Sequence, residues 1–232
     1  MWLALFLACA PHPAPPAPPP PSTPMGPEAA PAVQPGWRSS TVSRLALDAD
    51  DPAIGPTDAR FTMVAFTDYF CPHCAAFWPT IVAYADAHPD VRVVFKDWPI
   101  DKACNPIVEG DRHVFACLAA RAAHCAAEQS AWRPMAELLF AHPEHVTPPE
   151  LPSFATEIGI DPTAFSACVD APATAAAVSA DVLAGLDANV GGTPTVFVFG
   201  VEAGHWVELP PSMTLISGVL DTVRRGGRLP PG

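Results

Sequence analysis

The chain has 232 residues, half of them hydrophobic, with 31 prolines, 12 basic and 24 acidic side chains, and a net charge of −12. That length allows one large or two small domains. The acidic balance repels phosphate backbones and anionic lipid surfaces, so no nucleic-acid partner is expected.

Residues 1–8 form an apolar run that ends at Cys9. A span needs about 20 apolar residues, so this run reads as the hydrophobic region of an export signal. Phe6-Leu7-Ala8-Cys9 is similar to a bacterial lipobox, although Phe6 stands where leucine is usual and no Lys or Arg precedes the run. Cys9 is the expected lipidation site; the alternative is an incidental apolar residue of the signal. Twelve of the 25 residues from Pro11 to Pro35 are proline. Such a tract buries no core and extends at roughly 3.1 Å per residue, so residues 9–36 read as a disordered, proline-rich tether.

Beyond the tether, 37–58 is irregular, with one short strand expected over 42–47. The first strong strand is 61–67. A helix follows over 72–88 with Pro79 inside it, where the missing N–H predicts a kink, and then a strand over 91–96. This β-α-β order implies a parallel pair joined by a crossover. The pattern from 111 to 189 is helical almost throughout, with helices expected over 111–129, 131–140, 149–158, 162–169 and 173–187. Strands at 195–199 and 205–209 and a helix over 212–225 close the chain, ended by Gly226-Gly227. The expected layout is residues 37–100 and 190–232 as two parts of one α/β unit, with 101–189 as an all-helical insertion. No repeat and no glycine-rich phosphate loop is present.

Cys71-Pro72-His73-Cys74 lies between the first strong strand and its helix. Pro72 suits the first helical position, which puts Cys71 at the helix N-terminus and Cys74 one turn on, facing the same side. The unpaired N–H groups and dipole there stabilise a thiolate on Cys71, and an imidazolium at His73 adds to this. Cys71 is therefore the expected reactive sulfur and Cys74 the resolving one. The plainer readings are a structural disulfide or half of a zinc site. A metal site needs two further ligands at matching spacing, and His88, His113, His124, His142, His145 and His205 supply none; they read as surface or helix-face residues. No metal or cofactor is expected.

Without Cys9 and the C-x-x-C pair, Cys104, Cys117, Cys125 and Cys168 remain, an even number that suits an oxidising compartment. Cys117 and Cys125 are eight residues apart on one expected helix, about 12 Å in rise, beyond the roughly 7 Å Cα limit for a bridge. Cys104 lies in the loop before that helix and can fold back on its early turns. The favoured pairing is Cys104–Cys117 with Cys125–Cys168.

Strand, C-P-H-C, proline-bearing helix, strand, helical insertion, then Gly192-Thr193-Pro194-Thr195 opening a late strand: this order resembles the DsbA-type thioredoxin-fold proteins over about residues 45–225. The resemblance implies a thioredoxin fold with a helical insertion. It also implies a cis peptide bond at Pro194 lying against the redox cysteines, with Thr193 offering backbone to a substrate peptide. One departure is Ala65, where most relatives carry a buried acid six residues before the first cysteine; Asp68 and Lys96 stand near the strand ends, either as partial substitutes or as solvated termini. The activity implied is a monomeric thiol:disulfide oxidoreductase of the periplasm or cell envelope. Its partners would be reduced, unfolded exported proteins and a quinone-linked membrane oxidase. The alternatives are a disulfide isomerase or reductase, or a peptide-binding module whose cysteines are merely structural.

Overall fold

The structure is a computed structural model that describes residues 41–42, 44–110, 112–200 and 204–229. The export signal at 1–8, Cys9 and the tether over 9–36 lie outside the described residues. Six strands, β1 (Thr41–Val42), β2 (Ala53–Ile54), β3 (Phe61–Thr67), β4 (Val91–Asp97), β5 (Thr195–Gly200) and β6 (Trp206–Leu209), form one sheet in the order β1-β6-β5-β3-β4-β2. Seven helices join them: α1 (Pro72–Ala87), α2 (Ala116–Glu128), α3 (Trp132–Ala141), α4 (Leu151–Glu157), α5 (Pro162–Asp170), α6 (Pro172–Asp187) and α7 (Met213–Arg224).

β3 and β4 are almost continuously apolar, rich in Val and Phe, because both faces of the sheet are covered. They pair in parallel, Phe61 with Val91 through Thr67 with Asp97, and α1 supplies the crossover that a parallel pair requires. Alternation along β3 sends Phe61, Met63 and Ala65 to the face covered by α1 and the helical segment, and Val64 and Phe66 to the other. On that second face α6 lies so close to the sheet that a Cβ on Gly185 would collide with the Trp98 ring. Pro79 stays inside α1, which runs through it unbroken. At α5, Asp161 accepts bonds from the N–H groups of Thr163 and Ala164 at 2.8 and 3.1 Å, with Pro162 as the first helical residue.

Several expectations need correction. The helix expected from residue 111 begins at Ala116, after Phe115 at φ 75°. The segment before it is held by Asp101, whose carboxylate accepts from Cys117 N–H at 3.3 Å, and by the bond from His113 N–H to the Ile100 carbonyl. The helix expected over 149–158 shortens to α4, preceded by a 3₁₀ turn at Pro143–His145. Among the described residues of the 42–47 stretch only Val42 joins the sheet, and Leu45 turns into the second core. β2, paired with β4, is an element the pattern did not announce. Asp68 and Lys96 are not solvated strand ends; each is 1% exposed.

Cys104 is bonded to Cys117 and Cys125 to Cys168, with Cα separations of 6.0 and 5.7 Å. The bridges span 13 and 43 residues, for which loop-closure entropy gives about 3 and about 4 kcal/mol. Replacing Cys125 and Cys168 by alanine should lower Tm by roughly 8–16 °C, and replacing the shorter pair by less. Thermal unfolding followed by circular dichroism checks the size and the order, and a longer-bridge variant melting within about 2 °C of the parent contradicts them.

Candidate active site

Cys71 caps α1 with an extended backbone (φ −81°, ψ 117°), and Pro72 opens the helix. The Cys71 carbonyl accepts from Ala75 N–H at 3.0 Å, starting the helical ladder. Pro72 and His73 are exposed, whereas Cys71 and Cys74 are 5% and 2% exposed and unbonded to each other, so the structure holds the dithiol. The turn before the helix is fastened by Asp68. Its carbonyl accepts from Cys71 N–H at 3.0 Å, and its carboxylate takes Phe70 N–H at 2.7 Å, Ile100 N–H at 2.6 Å and His113 Nδ1 at 2.8 Å. His113, expected at the surface, thus braces the active-site turn, stacked beside Phe70.

The two thiols are pushed in opposite directions. Cys71 is lowered to about 5, first because the Cys74 thiol donates to its sulfur, then by the Thr193 hydroxyl and by the Cys74 and His73 N–H groups, all acting against burial. Cys74 is raised, first because its proton is shared toward Cys71 and then by burial, while the Thr67 hydroxyl and Asp68 N–H partly offset this. This is helix N-terminal thiolate stabilisation combined with a buried second thiol. The Thr193–Pro194 peptide bond is cis, and the Thr193 carbonyl lies 3.4 Å from Cys71 Sγ. The Thr193 hydroxyl is buried with no other hydrogen-bond partner among the described residues, so the Cys71 sulfur is the group it can serve.

Beside this pair opens a groove of about 610 Å³ between α1, the Thr193–Pro194 turn and the start of α7, lined by His73, Phe77, Thr80, Pro194 and Met213. Cys71, Pro72, His73, Cys74, Thr193 and Pro194 therefore meet in one place. The cysteines of the two bridges lie apart from it in the helical segment and its entry loop. Three further carboxylates gather at the C-terminal end of β4, where Lys96 Nζ lies 2.6 Å from Asp181, 2.8 Å from Asp51 and 3.6 Å from Asp48. These three carboxylates have a spacing that a cation would accept, but the ammonium stands among them.

Residues 48–209 match the family described as thioredoxin. The chain belongs to that family. Among solved structures it is similar to a thioredoxin-like oxidoreductase from Silicibacter pomeroyi DSS-3, at 25% identity and a TM-score of 0.60 over 77% of this chain and 93% of that one. It is similar also to Pseudomonas aeruginosa DsbA2, at 21% identity and a TM-score of 0.58 over 77% and 96%. Oxidised BdbD from Bacillus subtilis gives 23% and 0.59 over 80% and 97%. The fold is that of the DsbA-type thiol:disulfide oxidoreductases, as the order of motifs implied. Three curated proteins, all Na⁺/H⁺ antiporters, also match. The Na⁺/H⁺ antiporter NhaA 3 of Salinispora tropica is 33% identical over 150 residues, covering 65% of this chain and 22% of that protein. NhaA of Herminiimonas arsenicoxydans is 29% identical over 185 residues, covering 77% and 27%. The chain thus spans about a quarter of the length of these relatives.

Proposed function

We propose that the chain is a thiol:disulfide oxidoreductase that donates a Cys71–Cys74 disulfide to reduced, unfolded exported proteins. The observation that carries this reading is the split between the thiols: Cys71 is lowered to about 5 at a helix N-terminus while Cys74 is raised and buried. A substrate thiolate attacks Cys71 Sγ, the Cys71–Cys74 bond breaks, and Cys74 leaves with the electron pair and is protonated. A second substrate thiolate then attacks the substrate sulfur of the mixed disulfide and expels Cys71 as a thiolate. The substrate gains a disulfide, and the chain is left reduced, to be reset by an oxidising partner.

The direction of exchange follows from the arithmetic of the low pKa. At pH 7 a thiol with pKa near 5 is about 99% ionised, against about 1% for one at 9, but its thiolate is weaker by a Brønsted slope of about 0.4–0.5. As an attacking group Cys71 therefore gains almost nothing. As a leaving group it gains the full benefit, which suits a donor of disulfides rather than a reductant. The groove along α1 and Thr193 is the proposed place for an extended substrate segment.

A place in the cell envelope rests on the apolar run at 1–8 and the paired cysteines; Cys9 as a lipid anchor is part of the same reading. The likeness to segments of Na⁺/H⁺ antiporters fits work beside a membrane. Among the described residues no single helix is long and apolar enough to cross one. The test is to mix the oxidised chain with a reduced, unfolded protein that regains activity only when its disulfides form. One disulfide transferred per chain supports the proposal, and no transfer with both cysteines intact overturns it.

A further inference from the structure

The pairing of β1 fixes where the chain before it meets the sheet. Thr41 stands opposite Val207 and Val42 opposite Trp206, so each step back along β1 advances one residue along β6, toward Pro210, Pro211 and the start of α7. β6 pairs in turn with β5, Leu209 opposite Val196, and two further residues along each chain bring Pro211 level with Pro194. Both prolines line the groove beside Cys71, together with Phe77 and Met213. The groove therefore opens at the edge of the sheet toward which the N-terminal segment runs. Pro211 is exposed and Met213 half-buried, so its apolar wall stands open to an occupant.

We propose that the chain's own segment from Pro31 to Trp37 occupies this groove and competes there with substrate. Trp37 is the anchor. Continued four steps past Thr41, the register of β1 with β6 brings Trp37 level with Pro211. Neighbouring strands lie about 4.8 Å apart, so two strand spacings put Trp37 roughly 10 Å from Pro194, within reach of an indole ring aimed into the groove. Pro210 and Pro211 have no N–H to offer a ladder, so the segment is free to leave the sheet at that level. Its composition suits an apolar groove. From residue 10 to residue 36 the one Asp, Glu, Lys or Arg is Glu28, and Trp37 is the first Phe, Tyr or Trp after Phe6. Proline-rich chain is already extended, loses little entropy on docking, and binds grooves walled by rings and other apolar side chains. Attachment in cis supplies the rest: at an effective concentration on the order of 1 mM, a contact with a Kd of about 0.1 mM fills the groove about nine-tenths of the time. The proposal rests on the exchange reading above for the groove as the place of substrate, and it adds that a substrate must displace the chain's own segment to reach Cys71.

Two measurements on the full chain test this. In the first, p-benzoylphenylalanine replaces Trp37 in the oxidised protein, and the crosslink formed on irradiation is mapped by mass spectrometry. Attachment within one chain to Phe77, Pro194, Pro211 or Met213 is expected; attachment to another face, to a second chain, or to nothing overturns the proposal. In the second, the disulfide is transferred in a single turnover to a reduced, cysteine-containing peptide at increasing concentration. Trp37→Ala is expected to lower the half-saturating peptide concentration about tenfold, as occupancy in cis requires. The limiting rate should stay the same, and so should the rate with dithiothreitol, which needs no groove. An unchanged half-saturating concentration overturns the proposal. Absence of transfer from the wild-type chain is a different result: it is the failure of the exchange reading, and the crosslink still decides whether the groove is filled.

Discussion

Cys71→Ser should reduce disulfide transfer to the background rate of the buffer, whereas reduced Cys74→Ser should still attack a disulfide-bonded protein through its Cys71 thiolate, expel one substrate sulfur as a thiolate, and stall as a mixed disulfide that no Cys74 resolves. The asymmetry follows from position. Cys71 holds the helix N-terminus and faces Thr193 and the groove, while Cys74 is one turn in and buried. The wild-type pH profile should show the same division. Alkylation of Cys71 rises as pH passes about 5 and is flat through neutrality, where a thiol at the ordinary 9.0 would still be climbing. Because the folded pKa is depressed, the thiolate's contribution to the reduced form is complete above about pH 9 and is lost as pH falls through about 5. Non-reducing electrophoresis of both reduced variants with a disulfide-bonded protein substrate, and alkylation rates against pH, check these outcomes. Mixed disulfides forming through Cys74 instead would contradict the assignment of roles.

Lys96→Met should destabilise the fold by about 3–5 kcal/mol, a large part of the roughly 5–15 kcal/mol that holds a domain together. The Lys96 side chain is fully buried, and it neutralises Asp51 and Asp181, whose side chains are 7% and 13% exposed. Methionine keeps the stem and removes the charge, leaving two carboxylates unpaired in a site that already disfavours them. Burial raises both above 3.8 even with Lys96 present. In the variant they rise further, so its stability falls as pH climbs through their folded pKa values and recovers in acid. Denaturant unfolding at several pH values measures this. A loss under about 1 kcal/mol, unchanged with pH, would mean that water replaces the ammonium without cost.

The redox core was legible in the sequence because its signals are local. A proline after Cys71, two cysteines one turn apart and an apolar run before them each have a direct backbone consequence, and Gly192-Thr193-Pro194-Thr195 gained meaning from the resemblance. What was not legible is held by contacts between distant residues. Asp68 reaches across 32 residues to Ile100 and 45 to His113, so nothing near residue 113 shows that the histidine braces the active-site turn. Lys96 looks like a strand end until α6 brings Asp181 to it from 85 positions away. The segment before α2 was read as helix from its composition, but Asp101 and the Cys104–Cys117 bridge hold it otherwise. Ala65 is buried in the face under α1, as its strand phase required.

Equilibration of the chain with glutathione redox buffers at pH 7, with thiols trapped and counted, tests the central claim most directly. A Cys71 thiolate that stabilises the reduced form predicts a potential nearer about −120 mV, the strongly oxidising end of thioredoxin-fold couples. A potential near about −270 mV would contradict the account and make the chain a reductant.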